Sequence, residues 1–476
     1  MITALSLYPA YRDSGVPWLG EVPEHWEVLP ALAAYKPKLV RNTGMIESTV
    51  LSLSYGRLIV RPPEKLRGLV PESFETYQLV DPGDIIVRTT DLQNDQTSLR
   101  VGFARHRGII TSAYLCLSTT ERMSPEFGYQ FLNTYDLLKI IYGYGSGLRQ
   151  NLSFAEIKRM PVLVPPPEEQ AAIVRFLDYA DRRIRRYVQA KQRLIALLEE
   201  QKQAIIHRAV TRGLDPDVPL KPSGMEWLGD IPEHWEVRSF LRCVVERADY
   251  RGATPTKRDD GVILVTARNI RRGWIDYETS REFVAHEDYA KIMRRGLPRL
   301  DDLLLTMEAP LGHVALVNRT DIALAQRVVR FRVDPDVLMP RFALLAMLSP
   351  YFQGQLLVRG TGSTATGIKA SKLPQIQVVL PPLAEQRQVL DSIDLSTEPI
   401  EKARSRAERE IAFLREYRIR LIADVVTGKL EVRDVAARLP EETDEPEPLD
   451  DFDLPADELD ELDGEEAGAE LAEAVT

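Results

Sequence analysis

Ser14 to Val28 reads SGVPWLGEVPEHWEV, and Ser223 to Val237 reads SGMEWLGDIPEHWEV. Eleven of these fifteen positions are identical at an offset of 209, and four of the chain's five tryptophans fall in the pair. A second pair lies downstream. Val164 to Ile173 is VPPPEEQAAI and Leu380 to Val389 is LPPLAEQRQV, now at an offset of 216. That offset holds as far as Val210-Thr211 and Val426-Thr427. Each half is thus a variable body bracketed by shared start and finish elements. Repeats of this length are too long for a solenoid and mark duplicated domains.

The finish element predicts helix. Pro165, Pro166 and Pro167 end the strand-like run Pro161 to Val164, because proline cannot continue a ladder. Glu168 and Glu169 then suit a first helical turn. A seam at 3–4 spacing follows: Leu177, Ala180, Ile184, Tyr187, Lys191, Leu194, Leu198, Gln201 and Ile205. Its copy is Ile393, Ser396, Ile400, Ala403, Ala407, Glu410, Leu414, Tyr417 and Leu421. This is a coiled-coil pattern with polar interruptions. Pro399 falls inside the second copy and is expected to open a new helix after a cap at Thr397 or Glu398. Each finish element therefore reads as a short helix and a long one. The long one, at about 28–30 residues, would be roughly 45 Å. Gly213 and Gly428 suit C-terminal caps.

The variable bodies read as β-rich. Short apolar runs at 84–88, 108–110 and 114–117, and at 262–265, 302–305, 313–317 and 328–331, are bounded by turn residues. A helix is expected near 126–141 in the first body and 340–357 in the second. The expected fold class is α+β: two tandem β-rich domains, with long helices pairing as an antiparallel coiled coil in a pseudo-twofold arrangement.

The formal net charge is −10, which at first sight counts against a nucleic-acid partner. Residues 441–476 hold 17 of the 71 acids and no Lys or Arg, so residues 1–440 carry 61 basic against 54 acidic groups, or +7. The composition of the tail predicts disorder. No run approaches 18 apolar residues and no signal-peptide pattern opens the chain, so a cytoplasmic protein away from membranes is expected. Cys116 and Cys243 read as two inert thiols.

No catalytic constellation emerges. The Pro-Pro pairs follow Arg61, Val164 and Leu380 rather than the Asn or Asp of an adenine methyltransferase motif. Gly362 to Lys369 imitates a phosphate loop but has Ile368 where Lys is needed. The six histidines lack metal spacing, and His25 and His234 recur in the Pro-Glu-His-Trp repeat, which favours packing or capping. No catalytic residue, metal ligand or cofactor is expected on this chain.

The bodies instead interleave basic and amide side chains with aromatics. Arg, Lys, Asn and Gln read base edges, and the cations neutralise phosphates. The first body offers Arg88, Thr90, Gln93, Asn94, Arg105, Arg107, Tyr144, Arg149, Gln150 and Asn151. The second offers Thr254, Lys257, Arg258, Arg268, Asn269, Arg271, Arg272 (in Arg271-Arg272-Gly273-Trp274), Arg327 and Lys369. These are the candidate DNA-binding residues.

Together these features resemble the specificity subunit of Type I restriction–modification systems, over nearly all of residues 9–430. Four elements carry the resemblance. They are Trp-Leu-Gly-x-x-Pro-Glu-His-Trp opening each half, Pro-Pro-x-x-Glu-Gln before a long helix ending near Val-Thr-x-Gly, Gly252-Ala253-Thr254-Pro255, and a strand following Asp84 and Asp302. The first body has no clear Gly-x-Thr-Pro, so the two bodies should read different sequences. The resemblance implies target-recognition domains at 9–164 and, with a linker, 214–380. It implies conserved helical spacers at 165–213 and 381–430, with an acidic tail at 441–476 outside the resemblance. Leu177, Ile184, Leu194, Leu198, Ile205, Ile393, Ile400, Leu414 and Leu421 would form the spacer seam. It further implies a bipartite, asymmetric site on double-stranded DNA, two modification subunits that methylate adenine with S-adenosylmethionine, and a restriction subunit using ATP and Mg. Helix length would set the gap between half-sites. The competing expectation is a coiled-coil scaffold with protein-binding lobes.

Overall fold

A computed structural model of the 476-residue chain describes residues 5–440 apart from 55, 62–72, 91, 93–94, 96–97, 145–151, 226–227, 251–254, 326 and 362–366. The acidic tail lies outside the described residues. The chain divides into two compact units, Met1–Gln192 with Arg409–Thr476, and Arg193–Glu408. Each holds one variable body and a piece of both long helices. No described helix is long and apolar enough to cross a membrane.

The duplication read from the sequence extends to strand pairing. In the first unit Tyr11–Asp13 pairs antiparallel with Glu21–Pro23, and in the second Leu220–Pro222 pairs with Asp230–Pro232. Glu27–Pro30 pairs with Pro161–Val164, and Glu236–Ser239 with Gln377–Leu380. Each pair joins the start of a body to its end, so the two motifs that bracket the body in sequence meet in space.

Each body carries an antiparallel four-stranded sheet of the same order. The first is Tyr35–Pro37, Leu115–Thr119, Ile85–Val87, Val101–Phe103; the second is Val244–Asp249, Val328–Val333, Leu303–Met307, Leu311–Leu316. Their central strands are buried on both faces, which is why they read as short continuous apolar runs rather than alternating ones. A helix covers each sheet. Pro125–Leu137 starts at a Ser124 cap with Pro at its first position. The single helix expected over 340–357 is two, Pro340–Leu348 and Pro350–Arg359, because Pro350 holds Ser349 extended and opens a new helix.

The long helices correct the expected split. Each is continuous: Pro167–Arg212 has 46 residues and Leu383–Val426 has 44. Pro399 sits inside the second rather than at a start. Its missing N–H leaves the Leu395 carbonyl without a helical partner, but Leu395 and Pro399 are both exposed, so water can serve that carbonyl. The opposite face holds the helix together, where Ile393, Thr397 and Ile400 are buried.

The seam also shifts. Leu177, Ala180, Ile184, Ile393, Ile400, Ala407 and Leu421 are buried as expected, while Leu198, Ile205 and Leu414 are half-buried. Tyr187, Leu194, Ser396, Ala403 and Tyr417 are exposed, and the neighbours Val188, Thr397 and Ile411 are buried instead. A helix turns 3.6 residues, so a stripe drawn at 3.5 drifts off the buried face. In the first unit Arg418 binds Asp181 and Lys191 binds Glu410, the latter at 2.6 Å, so the segments run antiparallel. In the second, Lys202 reaches Glu401 at 2.5 Å.

Candidate nucleic-acid interface

The repeated motifs are fasteners. Gln170 accepts a hydrogen bond from the Ser124 backbone at 2.8 Å and donates to the carbonyls of Arg122 and Pro165 at 2.9 and 2.8 Å. Gln386 repeats this, accepting from Met339 and donating to Val337 and Pro381, all at 2.9 Å. One buried amide thus ties the long helix to the loop before the body's own helix. The preceding Glu takes the repeated histidine: His25 meets Glu169 and His234 meets Glu385, each at 2.7 Å. Trp26 also donates to Glu169 at 2.9 Å. The histidines are structural, as the repeat suggests.

Gly213 and Gly428 have φ of 73° and 76°, the left-handed conformation of a helix cap. Both also allow close approach. A Cβ on Gly213 would lie 3.2 Å from Trp235, and one on Gly428 would run into Pro23 and lie 3.0 Å from Trp26. The end of the first long helix therefore closes on the start element of the second half, and the end of the second helix on that of the first.

This frame fixes one end of each four-stranded sheet. In the first unit the strand Ile85–Val87 runs into residues 88–100, and the Leu152 backbone donates to Thr89 at 2.9 Å. In the second, Leu303–Met307 turns back through 308–310, and Ile368 donates to Met307 at 2.9 Å. Leu152 and Ile368 are one offset of 216 apart, so the same joint exists twice. It brings Leu152 and Ile368 to the sheet end at which Thr89 and 308–310 lie. Val244–Asp249 ends at that same end, just before Gly252-Ala253-Thr254-Pro255 in the sequence.

The strand turns behind this end are built on the two aspartates. Asp84 accepts from the Asp81 backbone at 2.7 Å, and Asp302 from Arg299 at 2.8 Å. Each takes a cation from a neighbouring strand or its continuation. Lys38 sits 2.8 Å from Asp81 and 2.5 Å from Asp84. Burial works against its charge, but the hydrogen bonds to Asp81 and Asp84 prevail and hold its pKa above the usual value. Arg330, fully buried, and Arg332 both meet Asp302 at 2.8 Å, and both bind Glu246. Beside Asp84, burial pushes the Cys116 thiol up to about 12, so it stays protonated.

The candidate DNA-binding residues divide. In the first body Arg88 is mostly buried, 3.7 Å from Asp95, and Thr90 gives its carbonyl to Arg100 at 2.6 Å. Arg100 also binds the Asp95 carbonyl and the Tyr142 hydroxyl at 2.5 and 2.9 Å. Arg105 is exposed, and Arg107 is exposed with Glu47 and Asp81 each 3.7 Å away. Tyr144 is half-buried against Tyr135. Gln93, Asn94, Arg149, Gln150, Asn151 and Thr254 lie outside the described residues.

In the second body Lys257 binds Glu282 at 2.7 Å, and Arg258, Arg268, Arg272 and Lys369 are exposed. Arg327, at the sheet end, is half-exposed and 3.3 Å from Glu308. Arg271 donates to Thr279 at 3.0 Å. Asn269 corrects the sequence reading. It has no exposed surface, accepts from Thr266, and donates to the carbonyls of Asp276 and Ser280 at 2.9 and 3.0 Å. Both ends of its amide are spent on holding a loop, leaving nothing for a base. Trp274, quoted in Arg271-Arg272-Gly273-Trp274 but not counted among the candidate residues, is exposed. The string Arg-Arg-Gly-Trp contained that signal, since a Gly turn displays its neighbours. Among the described residues no group of His, Cys, Asp and Glu could hold a metal ion.

No protein-family model matches the chain. Over 284 residues it is 24% identical to the MjaVIII type I restriction enzyme specificity subunit of Methanocaldococcus jannaschii, covering 58% of this chain and 64% of that protein. Over 438 residues it is 20% identical to the putative MjaX specificity subunit of the same organism, covering 87% and 96%. The chain is similar to type I restriction enzyme specificity subunits. A solved chain from work on the assembly and conformational transition of a type I restriction–modification system shares the fold, with a TM-score of 0.60 at 14% identity, covering 86% of this chain and 99% of that one.

Proposed function

We propose that this chain is the DNA-recognition subunit of a type I restriction–modification complex. The observation that carries the reading is the repeated sheet end: one framework, used twice, presenting unlike loops. Each unit would read one half of a bipartite, asymmetric site on double-stranded DNA. Side chains from 88–100, 145–151, 251–258, 327 and 362–369 would supply base and phosphate contacts. Arg88 and Lys257 have protein carboxylates as neighbours, which DNA phosphates would have to replace. The chain itself would carry out no chemistry.

The long helices would dock two modification subunits, which bring S-adenosylmethionine to adenine, and a restriction subunit would add ATP and Mg. At 46 residues the first helix rises about 69 Å, longer than the split expected from sequence. Helix length would set the gap between half-sites. One heptad inserted into both helices should lengthen that gap, and an unchanged gap removes the ruler idea.

The deciding experiment expresses the chain with its modification subunits and maps methylated adenines by single-molecule sequencing. A two-part motif is expected. Replacing 88–100 should change one part and leave the other. Absence of any chain-dependent methylation motif overturns the proposal.

A further inference from the structure

Trp274 stands out in the second unit. It is 57% exposed, whereas Trp26 and Trp235 are buried. An exposed indole forgoes much of the burial that favours apolar side chains, and this one is not on a loose loop. Ile270 and Ile275, both buried, pair as an antiparallel bridge at the base of its turn. The Gly273 backbone donates to Val314 at 2.8 Å on the strand Leu311–Leu316, and the His313 ring donates to the Ile270 carbonyl at 2.8 Å. Buried Asn269 closes the loop from behind. Gly273 has φ of 107°, which a side chain would disfavour. The result is a rigid turn whose apex presents an indole, with Arg272 exposed two residues before it and Arg268 exposed at the start of the same loop.

A fixed aromatic among arginines matches nucleic acid on both counts. Cations meet phosphates, and an apolar wedge or stacking face meets an unstacked base. We propose that Trp274 is a DNA-contacting residue of the second unit, inserting at a base step or stacking on a displaced base. Arg268 and Arg272 would anchor the turn to the flanking phosphates. This rests on the DNA-recognition reading above and assigns it a residue that the base-edge side chains do not include.

The test uses the full chain with its modification subunits and duplexes carrying the mapped site, with either half scrambled in controls. Trp274→Ala should weaken binding of the intact site about tenfold or more, and Trp274→Phe should keep most of it. With 2-aminopurine placed along the half-site read by the second unit, wild type should raise fluorescence at one position and Trp274→Ala should not. Arg272→Ala should lower the slope of log affinity against log salt by about 1. Leu300→Ala, a similarly exposed apolar side chain on the turn before Asp302, should leave DNA affinity unchanged. If wild type discriminates scrambled half-sites and Trp274→Ala binds like wild type with the same 2-aminopurine signal, the wedge is wrong and the recognition reading stands. If wild type does not distinguish scrambled from intact DNA, both fail.

Discussion

The two units solve one problem with different chemistry. Both place an aspartate at the turn before the third strand in sheet order, Asp84 in one and Asp302 in the other, and both neutralise it from an adjacent segment. The first uses a lysine shared with a second carboxylate near the surface. The second buries a complete arginine, with Arg332 and Glu246 completing the set. The sheet end they support differs likewise. In sequence 88–100 separate Ile85–Val87 from the next strand, with Thr90 and Asp95 held by Arg100, whereas 308–310 make a short turn beside Arg327. The frame is held constant by a few hydrogen bonds, and everything facing outward is free to differ.

Substitutions at paired positions can break this comparison. The largest effect is expected at Asp302. Asp302→Ala leaves the fully buried Arg330 guanidinium with Glu246 as its carboxylate partner and should still cost about 3 kcal/mol of stability. Asp84→Ala leaves Lys38 its second partner Asp81 and partial solvent, and should cost less than half of that. Urea unfolding of both variants measures this, and equal losses would show that the two turns are not the asymmetric pair described.

Gln170→Ala and Gln386→Ala each remove three hydrogen bonds, two of them from an NH₂ group that leaves carbonyls unserved. Each should lose about 2–3 kcal/mol. Here the comparison demands equality, so a clear difference in melting shift between the two breaks it.

The caps come next. Gly428→Ala and Gly213→Ala both force alanine into a left-handed conformation, at about 1 kcal/mol. Gly428 additionally presses on Pro23 and Trp26, so its variant should be the less stable by about another 1 kcal/mol. Circular dichroism melts should rank them in that order.

The smallest effect is expected at Pro399, which stands at the repeat position of Arg183. Pro399→Ala restores a helical hydrogen bond and should raise stability by about 1 kcal/mol, with no change in DNA specificity. A loss of stability would mean that the helix is shaped by that proline rather than merely tolerating it.

The duplication, the strand runs and the long helices were legible because they rest on local signals: identical residues, apolar runs and helical periodicity. The seam was legible only in part. Tyr187 and Val188, or Ser396 and Thr397, differ by one position, and a nearly 3.5-residue pattern does not choose between them. The candidate interface was the least legible. Arg268, Arg272, Arg327 and Lys369 are displayed as their charge suggests, but nothing in composition separates exposed Arg272 from buried Arg330, or a base-reading amide from Asn269.

By itself, then, the sequence determined that this protein is two copies of one frame joined by paired helices, because repeats and periodicity are properties of order along a chain. The tertiary structure decided which half closes on which. The first helix ends against Trp235 and the second against Trp26, since a helix end finds its cap and apolar partner by distance in space. It also decided that the repeated Gln, Glu and His are fasteners, and that Trp274, more than half exposed, is held out on a turn of fixed shape. A buried amide must satisfy its hydrogen bonds and an exposed one need not, and only packing says which is which.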